Sequence, residues 1–170
     1  MLRTQLNVIP TDIVDTGTAM WRRERPEIDC SGKEITGRIL RLSEMFLDAM
    51  NKNMTKFGVR YSLYAIVATL RASGKPYRMS PSELQSTLLI TSGGVSNLLK
   101  RGEALGYVRR LTDPMDGRGV IVELTSAGHE LSRVTMPAQA DLERALVNGL
   151  SPRERELLAS LLRRLIIDNR

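Results

Sequence analysis

Ser92, Ser96, Asn97, Lys100 and Arg101 recur at spacings that put them on one side of a short helix, with Val95, Leu98, Leu99 and Ala104 elsewhere around it. Hydroxyls and a carboxamide in such a row can hydrogen-bond base edges in a major groove. Lys and Arg beside them can neutralise phosphates or bind guanine. Arg118 follows the turn sequence Asp113-Pro114-Met115-Asp116-Gly117. A guanidinium on a projecting tip suits a minor groove, where the negative potential is deep. Asp116 would hold that loop or orient Arg118 by a charge-assisted bond. Taken singly, each of these charges reads equally well as a solvated surface group; the information lies in the combination. Trp21, near the end of an amphipathic segment, is a candidate ligand contact, with packing or a dimer interface as the plainer reading.

Other chemistries find no constellation. One cysteine, Cys30, allows no internal disulfide and no cysteine-rich zinc site, and one histidine, His129, makes a histidine metal site implausible. No Ser/His/Asp, Cys/His or paired-carboxylate arrangement surrounds His129. Gly93-Gly94 does not follow a strand, so it is not a phosphate-cradling loop. No catalytic residue, metal or cofactor is expected. The 170 residues carry 25 Lys plus Arg against 19 Asp plus Glu, a net charge of +6, which points to an anionic partner. No apolar run is long enough to span a bilayer, and the first fifteen or so residues lack a secretion-signal core. The expectation is a cytoplasmic protein without a membrane partner.

The elements that would position these residues are mostly helical. A first helix ends near Arg25, before Pro26. Ser31-Gly32-Lys33-Glu34 reads as a capping box opening a helix with Ile35, Ile39, Leu42, Phe46, Ala49 and Met50 on one stripe. A shorter helix buries Leu63, Ile66, Val67 and Leu70 and stops at Gly74. Ser80-Pro81-Ser82-Glu83 is a second capping box, opening a helix to about Leu89. After a break at Ile90-Thr91, Thr91 or Ser92 caps the helix that carries the polar row, which Gly106 closes. Then the period changes to that of strands: Tyr107 to Leu111 and Gly119 to Leu124, with Val120, Val122 and Leu124 on one face. Thr125 begins a long helix, kinked near Met136-Pro137. Ser151-Pro152-Arg153-Glu154 caps a last helix whose stripe of Leu157, Leu158, Leu161, Leu162, Leu165 and Ile166 needs a partner. The predicted fold is mainly α with a two-stranded β-wing: a winged helix-turn-helix with N- and C-terminal dimerisation helices. Its expected divisions are 1–57 for N-terminal dimerisation helices, 58–125 for the DNA-binding domain and 126–170 for C-terminal dimerisation helices.

Residues 84–128 resemble the DNA-binding core of the MarR family of bacterial transcription regulators. The likeness runs from Thr91-Ser92-Gly93-Gly94-Val95-Ser96-Asn97-Leu98-Leu99-Lys100-Arg101 through Glu103-Ala104-Leu105-Gly106-Tyr107-Val108-Arg109-Arg110. It continues in Asp113 to Gly119 and Val122-Glu123-Leu124-Thr125, then Gly128. The Asp-x-Arg wing, followed by a strand and Leu-Thr, is its most specific part. The resemblance implies an obligate homodimer with interlaced terminal helices, a double-stranded DNA partner and an aromatic or anionic small-molecule effector. Residues 21–29 look like the N-terminal helix of a urate-responsive branch, in which the Trp21 position helps form the ligand pocket. The charged positions that such a pocket needs align with Ala65 and Leu98, so urate is not the expected ligand. Lys100 replaces an acidic residue common at that position in the family.

The function expected is a sequence-specific, ligand-responsive homodimeric repressor on a pseudo-palindromic operator. Two alternatives stand beside it. One is a redox sensor using Cys30, which would require an exposed thiolate. The other is a winged helix that binds protein.

Overall fold

The computed structural model describes residues 10–88, 94–113 and 119–169. Their order is α1 (Ile13–Glu24), α2 (Ser31–Thr55), α3 (Tyr61–Ala72), β1 (Arg78–Met79), α4 (Pro81–Thr87), α5 (Val95–Ala104), β2 (Val108–Thr112), β3 (Val120–Leu124), α6 (Ser126–Leu146) and α7 (Pro152–Asp168). Helix, helix, hairpin is the plan that the sequence predicts. The wing gains a strand: β1 pairs with β3, giving one antiparallel sheet in the order β1-β3-β2. Two residues show no period, so β1 has no sequence signature of its own.

The chain divides into two units, Met1–Asp48 and Ala49–Arg170. In the first, Asp12 caps α1 by accepting from the Val14 and Asp15 amides, while the Asp15 carboxylate accepts from the Asp12 amide at 2.9 Å. Arg38 of α2 then reaches Asp12 at 2.8 Å and Asp15 at 2.6 Å, tying the start of α1 to α2. Gly37 lets the helices approach, since a Cβ there would stand 3.1 Å from the Val14 side chain.

The expected capping box at Ser31 is corrected. Ser31 is the first helical residue rather than the cap, and its amide and hydroxyl both donate to the Asp29 carboxylate, at 2.8 and 3.0 Å. Asp29 sits two residues upstream, where a carboxylate competes well for the free amides of a helix start. Those bonds hold its carboxyl below the ordinary range. Glu34 is thereby released to pair with Arg22. The α2 stripe also departs from expectation: Ile35, Ile39 and Leu42 are exposed, whereas Phe46, Ala49 and Met50 are half-buried.

The second unit holds the core. Leu63, Ile66, Val67 and Leu70 are buried along one stripe of α3, as their spacing requires. Around them close Met54 and Val59, Leu84 of α4, Val95 and Leu99 of α5, Val108, Val122 and Leu124 of the sheet, and Leu131 of α6. The capping boxes at Ser80 and Ser151 form as the sequence predicts, each with proline in the first turn. α6 continues through Pro137. On α7, Leu157, Leu158, Leu161, Leu162, Leu165 and Ile166 are all exposed, so the stripe has no cover among the described residues.

Candidate nucleic-acid interface

α5 turns one face inward and one outward. Val95, Leu99 and Gly102 are buried and Leu98 is half-buried, whereas Ser96, Asn97, Lys100 and Arg101 are all exposed. The outward row is the one picked from sequence, less Ser92, which lies outside the described residues, as do Asp116, Arg118 and the capping position at Thr91 or Ser92. Among the described residues, none of the four outward side chains makes a hydrogen bond or ion pair. Their donors and acceptors are unspent. Gly102 faces the sheet because nothing larger fits: a Cβ would lie 2.9 Å from Val108 and 3.3 Å from Leu63.

The wing is fixed to this helix by contacts that sequence reasoning did not single out. The Glu103 carboxylate, near the end of α5, accepts from the Arg110 amide at 3.1 Å and pairs with its guanidinium at 3.2 Å. Gly106, with φ of +75°, lets the chain turn from α5 into β2. The Thr125 hydroxyl donates to the Gly106 carbonyl at 2.6 Å and accepts from the Gly128 amide at 3.1 Å. One side chain thus joins the end of β3, the turn after α5 and the start of α6. The Asp113 amide donates to the Gly119 carbonyl at 2.9 Å and closes the hairpin below its tip.

Across the sheet runs a charged row. Arg78 of β1 and Arg109 of β2 both stand opposite Glu123 of β3 in the strand register. Glu123 is 8% exposed and gives one carboxylate oxygen to each guanidinium, with Arg78 at 2.7 Å. The hydrogen bond from Arg109, then that from Arg78, holds its carboxyl below the ordinary carboxylate range. The row ties three strands transversely at the base of the wing. No sequence period announces it, because the partners are brought together by register alone.

Trp21 is half-exposed on α1, and the Lys33 ammonium stands 4.1 Å above its ring. The positions aligned with the charged groups of a urate-type pocket, Ala65 and Leu98, are half-buried against the apolar core. Cys30 is 3% exposed and its thiol faces the Ile28 carbonyl, so it lacks the accessibility that a sensor thiol requires. Among the described residues no group of His, Cys, Asp and Glu could hold a metal, and no helix is long and apolar enough to cross a membrane.

A model of the MarR family matches residues 58–119. The chain is 31% identical over 153 residues to the HTH-type transcriptional regulator PecS of Dickeya dadantii, covering 88% of this chain and 92% of that protein. The crystal structure of Sco3205, a MarR family transcriptional regulator from Streptomyces coelicolor in complex with DNA, superposes with a TM-score of 0.73 at 24% identity, covering 82% of this chain and 92% of that one. BpsR of Bordetella bronchiseptica, whose DNA binding is regulated by 6-hydroxynicotinic acid, superposes with a TM-score of 0.70 at 21% identity over 77% of this chain and 91% of that one.

Proposed function

The chain belongs to the MarR family and is a DNA-binding transcriptional regulator rather than an enzyme, and we propose that it acts as a ligand-responsive homodimeric repressor on a pseudo-palindromic operator. The observation that carries this reading is the outward face of α5, where Ser96, Asn97, Lys100 and Arg101 hold unspent hydrogen-bonding groups and charge. With Ser92 they address the major groove, Asn97 reading a base edge and the two cations meeting phosphate or guanine. Arg118, supported by Asp116, enters the neighbouring minor groove. A chromosomal target makes the protein cytoplasmic.

Homodimerisation supplies what α7 lacks. Seven exposed leucines and isoleucines along one helix would be an aggregation hazard in a monomer, and a second copy covers them symmetrically. Two-fold symmetry then sets two α5 helices roughly 34 Å apart, one DNA turn, and makes the operator pseudo-palindromic. An aromatic or anionic effector contacts Trp21, whose ring is already paired with a cation. Such a ligand lowers operator affinity only so far as it prefers a dimer with the wrong helix spacing. Apolar Ala65 and Leu98 speak against urate.

Sedimentation of the chain with a duplex of defined length tests the assembly. The expected free species has twice the 19.0 kDa chain mass and binds one duplex per dimer. A monomer that binds DNA singly would refute the dimer and the palindrome together.

A further inference from the structure

A cleft of about 470 Å³ lies on the second unit, apart from the residues of α5: Arg71, His129, Glu130, Arg133, Met136 and Pro137 are among its walls. Tyr77 organises it from the side. Its ring carries the Arg71 guanidinium 4.9 Å from the centroid and the His129 ring in an edge-on contact at 4.6 Å. Tyr77 is fixed in the left-handed region, φ 62°, which a bulky residue rarely adopts. Two backbone bonds secure it there: its amide donates to Gly74 at 2.6 Å and its carbonyl accepts from Leu124 at 3.1 Å.

The two groups that Tyr77 orients are otherwise uncommitted. Among the described residues Arg71 forms no ion pair, and neither its guanidinium nor the His129 imidazole makes a hydrogen bond. Arg133 pairs with Glu130 at 2.8 Å, but both side chains are 69% exposed, so the pair holds weakly and can open. Two guanidinia, an imidazole and one carboxylate thus line the cleft. Below them Met136 and Pro137 give an apolar floor, the first of them adaptable in shape.

We propose that this cleft is a binding site for a small organic carboxylate with an apolar body. The Arg71 fork grips the carboxylate in two parallel hydrogen bonds, His129 and Arg133 flank it, and the body lies on Met136 and Pro137. The volume falls within the range of about 300–1,000 Å³ common to small-molecule sites. The site shares no residue with the α5 face or with the surroundings of Trp21.

His129 is the chain's single histidine, so its imidazole protons give an unambiguous NMR reporter in the tag-free protein. Sodium hexanoate is titrated at constant ionic strength, with neutral hexanamide and inorganic phosphate as controls. Hexanoate is expected to move the His129 signal saturably. Hexanamide should bind at least about tenfold more weakly, for want of the charge-assisted contact. Phosphate, lacking a body for the apolar floor, should also be weak. R71Q, an exposed substitution that leaves the core untouched, should remove most of the response. E130Q should strengthen it by deleting the competing carboxylate, which a merely structural role would not do. The proposal is overturned if hexanoate gives no saturable shift up to roughly 10 mM. It is equally overturned if hexanamide or phosphate matches hexanoate, or if R71Q responds like the native chain. No DNA enters the measurement, so its failure leaves the regulator reading standing.

Discussion

Asn97 and Lys100 are neighbours on the exposed face of α5 but should fail in different ways. Lys100→Ala removes a charge that any duplex attracts, so binding to all sequences should weaken and the salt slope should fall by about one unit. Asn97→Ala removes the base contact proposed for it. It should cost roughly 1–3 kcal/mol on the operator and little on random DNA, as titrations of both duplexes at two salt concentrations would show. Equal losses on the two duplexes would remove Asn97 from base reading. The outward placing of these residues was legible because Ser, Asn, Lys and Arg alternate with Val and Leu at helical spacing. Glu123 was not legible, since its partners lie 45 and 14 residues before it and only strand register brings them together. Glu123→Gln should cost roughly 1–3 kcal/mol near neutral pH, where the ionised form accepts from both arginines. Because the folded carboxyl is held below its ordinary value, that stabilisation is complete above about pH 4.3 and disappears as pH falls through the folded value. Thermal melts of the two proteins should therefore converge in acid. A gap that persisted unchanged there would show that charge is not what Glu123 contributes.

Helix starts show how far local sequence carries an element. Ser80 and Ser151 were readable because hydroxyl, proline and glutamate fall within four residues and nothing nearby competes. Ser31 has the same outline, but Asp29 offers a stronger acceptor to the same amide, so the helix begins at Ser31 itself. β1 stayed hidden because two residues define no period, and its pairing with β3 depends on the whole fold. The join between wing and α6 makes a sharper demand. At Gly128 a Cβ would stand 2.2 Å from the Tyr107 carbonyl oxygen and 2.6 Å from Leu124, so backbone blocks any side chain. Gly128→Ala should destabilise by about 1–3 kcal/mol or more, whereas Gly149→Ala, with open space around it, serves as the control. Denaturant unfolding compares them, and equal stability of the two variants would mean that α6 can move away from the sheet at little cost.

For the whole molecule, the leucine stripe of α7 asks for a covering partner, and that need could be read from sequence because its apolar face is too wide for a surface helix. The α2 stripe was harder to read. Periodicity reveals an apolar face without revealing what covers it, and Ile35, Ile39 and Leu42 prove exposed within the single chain. Replacing Leu161 and Leu165 by glutamate should break a dimer held through α7 and leave the winged unit folded, because neither residue belongs to its core. Sedimentation should then show monomers with native helix content; an unchanged dimer would move the interface elsewhere. Selecting bound sequences from random duplex DNA at about physiological salt distinguishes a dimeric reader of a two-fold operator from any other binder. The expected result is an enriched pseudo-palindrome with half-sites about 10 base pairs apart, centre to centre. Binding without an enriched motif, or enrichment of a single half-site, would contradict it.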